Sequence, residues 1–211
     1  MTNRMTALAM AAAAALAIAG FTALGSVFEY PQILKEPTAD ILSLYREHQP
    51  AVVGWFLVLV VGAVLLAPIG IALGRRAGGR LGAWIAGLGV AAAAVQAIGL
   101  SRWVLFVPSI SAAGDTHRFE QLHFWLGEVL GETVGYALTA AFTVLVVRAV
   151  ASWRWLAYAG YAAAALIATG VLIPLGLAFA SMTNFAGYVL WCVWLIALAA
   201  ALWRVPRPVG A

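Results

Sequence analysis

Six apolar runs constrain this chain more than any motif it contains: about Met5–Phe28, Ala51–Leu73, Leu81–Val107, Phe124–Val147, Trp155–Ala180 and Phe185–Trp203. Each is long enough for a helix that crosses a bilayer, which takes about 20 residues. In hydrocarbon every backbone N–H and C=O must find its partner within the chain, and a helix does this for a single run. Composition closes off the alternative of a water-soluble core. Of the 211 residues, 64% are hydrophobic and 9% charged, against about 45–50% apolar and about 25% charged in soluble domains. We therefore expect an all-α fold: a polytopic membrane helical bundle with six transmembrane helices, forming one integral membrane domain over residues 1–211. The first run resembles a signal peptide, with Arg4 before an alanine-rich stretch and "AIA" at Ala17–Ala19. Its apolar character continues to Phe28, so a retained helix is expected.

The charged residues sort by side once six spans alternate. Arg4, Arg75, Arg76, Arg80, Arg148, Arg154, Arg204 and Arg207 fall on one face, with no acid among them. The other face holds Lys35, Arg46 and Arg118 together with Glu29, Glu36, Asp40, Glu47, Asp115 and Glu120. The positive-inside rule puts the arginine-rich face, and with it both termini, in the cytoplasm, as a multi-pass protein of the cytoplasmic (inner) membrane. Tryptophans expected as interfacial anchors follow the same division: Trp55, Trp103 and Trp125 near outer ends, Trp84, Trp153, Trp155 and Trp203 near inner ends. The net charge of +4 is spread over short clusters between apolar runs, which fits membrane orientation and not a nucleic-acid partner. Cys192 is the single cysteine, so an internal disulfide and a thiolate metal cage are excluded.

Two outer connections stand out. In "EPTADILSLYREH", Pro37 suits the start of a helix, and Ile41, Leu42, Leu44 and Tyr45 recur at helical spacing. This predicts a short amphipathic helix on the outer surface, placed as a lid. The stretch Ser109–Gln121 follows Pro108 and reads as a loop before the fourth span.

"FWLGEVLGETVGY" then sets a problem, because Glu128 and Glu132 lie in an otherwise apolar span. A charged side chain at bilayer depth costs at least ~2.5 kcal/mol and seldom persists without a partner or a wet cavity. At 1.5 Å per residue, Arg102 falls about 6–8 Å below the outer end of the third span, with Glu128 about 6 Å and Glu132 about 12 Å deep on the fourth. Matched depth predicts an Arg102–Glu128 pair. Glu128 and Glu132 share one α-helical face, beside a seam of Gly127, Gly131 and Gly135 that permits close helix approach. Two carboxylates one turn apart resist ionising together, so the deeper Glu132 is the expected proton carrier. Gln96, Ser101, Thr133 and Thr139 could extend a polar track, while Pro174, Trp191 and Trp194 fit either cavity shaping or ordinary packing.

All three histidines fall on the outer side. "HRFEQLH" spaces His117, Glu120 and His123 by three, and Glu120-x-x-His123 is half of a di-iron bundle motif. The second half is missing, so these are incomplete candidates for a divalent metal.

"FEYPQILKEP", "GLSRWVLFVPSI", "FEQLHFWLGEVLGETVGYALTAAFT" and "NFAGYVLWCVWLI" together resemble an uncharacterised family of bacterial multi-helix membrane proteins, a domain of unknown function. The resemblance runs from the first outer loop to the last helix. It implies a six-helix membrane bundle and supplies no activity or catalytic residue.

From the residues we expect a non-enzymatic membrane protein with an outer-half pocket. Arg102, Glu128 and Glu132 would bind a small or lipid-like ligand there, with Gln96 and Trp191 as further lining, in the service of transport or sensing. This reading needs no cofactor and has membrane lipid and the ligand as partners; an oligomer is compatible with it. The alternatives are a membrane-embedded metalloenzyme using the outer His/Glu group, and a structural partner subunit of a membrane complex.

Overall fold

A computed structural model describes residues 1–150 and 153–204; Arg207, assigned above to the arginine-rich face, lies outside them. Six helical spans are long and apolar enough to cross a membrane: Asn3–Val27, Gln49–Ala77, Gly79–Ala113, Thr116–Ala149, Arg154–Leu175 and Phe179–Arg204. No strand occurs among the described residues. The protein is thus the expected all-α, multi-pass bundle. Each span packs on the next and the sixth closes on the first, so the six form a ring in chain order.

Prolines explain where the spans break. The second consists of α3 (Gln49–Val64) and α4 (Leu66–Ala77), and the third of α5 (Gly79–Leu105) and α6 (Val107–Ala113), following α1 (Asn3–Val27) and α2 (Thr38–Glu47). Pro68 and Pro108 lack the N–H that would reach the carbonyl four residues back, so the ladder lapses at Leu65 and Phe106. Pro108 sits in the first turn of α6, where proline is tolerated. The predicted loop over Ser109–Gln121 is corrected accordingly. The helix runs on to Ala113, Gly114 turns it at φ 65°, and α7 (Thr116–Leu122) restarts with Asp115 accepting from the Arg118 amide at 3.0 Å.

The fourth span continues through a π-helical segment, His123–Val134, into α8 (Gly135–Val150). The fifth begins as α9 (Arg154–Ala168) and tightens into a 3-10 turn, Thr169–Leu175, that contains Pro174 and stops at Gly176 with φ 72°. It therefore ends short of the predicted Ala180. α10 (Ala178–Arg204) completes the ring.

Two apolar clusters divide the bundle lengthwise. The larger, toward the arginine-rich end, is built from residues such as Met10, Ile69, Ile85, Phe142, Leu156, Leu195 and Leu198. The smaller, toward the long-loop end, gathers Phe28, Tyr45, Phe56, Trp103 and Phe119. α2 closes over the second as the predicted amphipathic helix: Ile41, Leu42 and Tyr45 are buried, and Asp40, Arg46 and Glu47 are exposed. Hydrogen bonds fasten it. Tyr45 donates to the Trp103 carbonyl at 2.9 Å, Arg46 to the Ser111 carbonyl at 3.0 Å and Thr38 to Glu120 at 3.0 Å. Trp84, Trp125, Trp153, Trp155 and Trp203 are exposed, as interfacial anchors would be. Trp103 is not an anchor. It is fully buried, stacked on Phe56 at 5.0 Å and met edge-on by Phe28 at 5.2 Å.

Candidate polar site at the long-loop end

Small residues bring the third and fourth spans into backbone contact. A Cβ on Gly99 would lie 2.9 Å from the Gly131 Cα and 2.9 Å from the Leu126 carbonyl. One turn farther along α5, Arg102 fills the gap beside Gly127, whose own Cβ would lie 2.9 Å from the Arg102 Nη2. The glycine seam thus gives the guanidinium its space, and Arg102 is left only 3% exposed.

The partners of Arg102 differ from the prediction. Its Nη1 donates to the Gly99 carbonyl at 2.5 Å. Its Nη2 faces the His123 Nδ1 at 3.4 Å, and the guanidinium lies 5.2 Å from the Trp103 ring centre. Among the described residues no carboxylate comes within 4.0 Å of it, so the direct Arg102–Glu128 pair is corrected. The His123 Nε2 instead faces the Glu128 carboxylate at 3.8 Å. A neutral imidazole protonated on Nε2 satisfies both neighbours, accepting from Arg102 on one side and facing Glu128 with its N–H on the other. The physical reason for the miss is the π segment. Its backbone ladder joins residues five apart, and this displaces the faces drawn from α periodicity.

Residues 5–199 match the family model described as a domain of unknown function (DUF4386). The chain belongs to this family. No curated protein and no solved structure matches it.

In this DUF4386 protein Glu132 is half-buried and within Coulombic reach of Arg102, Tyr30, Tyr136 and Tyr188. The tyrosines carry no signal in the charge pattern, although "FEYP" and "ETVGY" set two of them just past a span and four residues beyond Glu132. Tyr30 is delivered by the turn that ends α1, where Glu29 takes φ 52° and the Tyr30 amide bonds back to the Leu24 carbonyl at 3.2 Å. Such a φ is uncommon outside glycine. Burial pushes the Tyr30 hydroxyl up to about 12; Arg102 pulls the other way, and Glu132 adds a smaller push. Tyr30 is therefore a neutral hydrogen-bonding group at any physiological pH.

Gln96 and Trp191 belong to a separate network. Gln96 donates to the Thr139 hydroxyl at 2.6 Å, Thr143 donates to the Thr139 carbonyl at 2.7 Å, and Trp191 donates to the Thr143 hydroxyl at 2.9 Å. Ser101 turns back on its own helix, to the Ile98 carbonyl. The three metal candidates are also kept apart. His117 meets Gln121 at 3.1 Å, Glu120 accepts from Thr38, and His123 turns to Arg102 and Glu128. No three His, Cys, Asp or Glu side chains converge on a metal position among the described residues.

Proposed function

We propose that this protein binds a small or lipid-like ligand with an anionic group at the site of Arg102, Glu128 and Glu132, as a non-enzymatic membrane protein serving transport or sensing. The observation that carries the reading is Arg102. A guanidinium buried at membrane depth, with no carboxylate against it and with an Nε that has no hydrogen-bond partner, is a costly arrangement for a helix lock alone. An incoming anion would complete it. His123, held between Arg102 and Glu128, ties the cation to an acid that is partly exposed, which gives the site a route for a proton as well as a charge.

Oleate is a suitable probe, having a carboxylate head and an apolar tail. It should raise the thermal midpoint of the purified protein and of Arg118→Gln, and leave Arg102→Gln unmoved. Equal shifts in all three would reject the site. Glu132→Gln should reduce the pH dependence of the oleate shift across pH 5–9 to that of the probe's own carboxyl group.

The same reading places the protein in the cytoplasmic membrane with both termini inside, supported by the arginine-rich end. Cys192 is buried, so added cysteines report cleanly. A cysteine at Ala77 should be shielded from an impermeant thiol reagent in intact cells and one at Ala113 should react; the reverse pattern inverts the orientation.

A further inference from the structure

At the arginine-rich end, far from Arg102, a cavity of about 280 Å³ opens between α1, α4 and α10. That is several times the ~30 Å³ share of one water in the liquid. Its polar side is made by Asn3, Arg75 and Arg76, and its apolar side by Ala72, Leu73 and Leu202. Arg76 is not left to wander: its Nη1 donates to the Asn3 Oδ1 at 3.0 Å, which ties the end of the second span across to the start of the first. Next to the cavity residues Asn3 and Leu202, Arg4 lies over Trp203 at 5.2 Å, so a third cation is fixed at the interface.

The chemistry of this cavity is one-signed. All eight Asp and Glu residues fall between Glu29 and Glu132, in the long-loop connections or at the polar site, so no Asp or Glu side chain belongs to the arginine-rich end. Two arginines on a rim of basic residues, above an apolar wall at the end of a membrane span, match a phosphate with hydrocarbon beneath it. Arginine forks suit phosphate oxygens bidentately, and basic pockets between transmembrane helices are where anionic headgroups lodge.

We infer that the cavity lined by Asn3, Arg75 and Arg76 is a binding site for a phosphate group, carried by an anionic lipid headgroup or as the free ion. The inference rests on different residues from the ligand site at Arg102 and stands or falls separately. Its test is native mass spectrometry of the full-length protein released from micelles with equimolar phosphatidylglycerol and phosphatidylcholine, with and without millimolar inorganic phosphate. The wild-type chain should retain phosphatidylglycerol over phosphatidylcholine, and R75Q/R76Q should weaken that preference about thirtyfold, from the sum of two interfacial arginines. Arg80→Gln, in the first turn of α5 and outside the cavity lining, should change it less than threefold. R75K/R76K should recover part of it, since charge is kept and the fork lost. Displacement of bound lipid by inorganic phosphate, or phosphate adducts that vanish in R75Q/R76Q, assigns the site to the free ion; lipid retention insensitive to phosphate assigns it to the headgroup. Equal preference in wild type and R75Q/R76Q, or an equal loss in Arg80→Gln, overturns the inference.

Discussion

Both halves of the bundle hold a glycine backbone contact, Gly70–Gly89 toward the arginine-rich end and Gly99–Gly131 toward the long-loop end, but the long-loop half adds a cage of rings. A Cβ on Gly70 would lie 2.9 Å from the Cα of Gly89, so α4 and α5 touch without side chains between them. At the other end Trp103 is enclosed by Phe28, Tyr45, Phe56 and Phe119. Polar groups follow the same division. Trp191 and Trp194 both have partners, each at 2.9 Å. Among the described residues the two buried side-chain nitrogens without one are the Arg102 Nε and the Trp103 Nε1, neighbours at the long-loop end. Unsatisfied polar capacity among the described residues is thus concentrated at the long-loop end.

Filling the glycine contact should break this comparison hardest. Gly70→Leu must push α4 from α5, and we expect a loss of at least about 3 kcal/mol or no folded protein, read from denaturant unfolding in micelles. A loss under 1 kcal/mol would mean that the backbone contact is not what holds that half. Arg102→Ala comes next, at about 2 kcal/mol, because it removes the packing of a buried side chain on Trp103 and leaves Glu132 without its nearby cation. Arg118→Ala, exposed on α7, should stay within about 0.5 kcal/mol; similar losses in the two would deny Arg102 its buried role. Trp191→Phe should then cost about 1 kcal/mol more than Trp103→Phe, since the first breaks a hydrogen bond and the second removes a donor that had none. Equal costs would show that the two halves do not differ in polar satisfaction.

The smallest effect is a pH slope. With its hydroxyl raised to about 12 by burial first, Tyr30 keeps its proton in the folded protein where the unfolded chain, near 10, begins to lose it. Its stabilising contribution is complete below about pH 10 and fades as pH rises toward 12. Tyr30→Phe should therefore flatten the alkaline fall in thermal midpoint between pH 10 and 11, and an unchanged slope would place Tyr30 in ordinary solvent.

The spans were legible because about 20 apolar residues leave a chain little choice, and α2 because Ile41, Leu42 and Tyr45 repeat at helical spacing. Details that depend on tertiary neighbours were not. Pro108 reads as a loop signal, yet it can equally open a helix, and α6 shows the second use. Trp103 has the composition of an anchor and becomes core because α2 and Phe28 cover it. Depth counting brought Arg102, Glu128 and Glu132 to one end but assigned the wrong neighbour to the arginine; His123, read from its spacing as a metal candidate, stands between. Tyr30 was invisible to charge and periodicity, since a turn of four residues, not a helix face, carries it inward.

The π-helical segment has a consequence for phase. Relative to an α-helix, a wider turn acts like an added residue, rotating everything downstream about the span's axis. Thr139 and Thr143 lie downstream of His123–Val134, and their bonds to Gln96 and Trp191 depend on that rotation. If the segment rewound to α, those hydroxyls would turn away from their partners. The fourth span is thus geared: the acidic stretch at one end and the threonine network at the other share one angular setting, and a change of winding at either is felt by both.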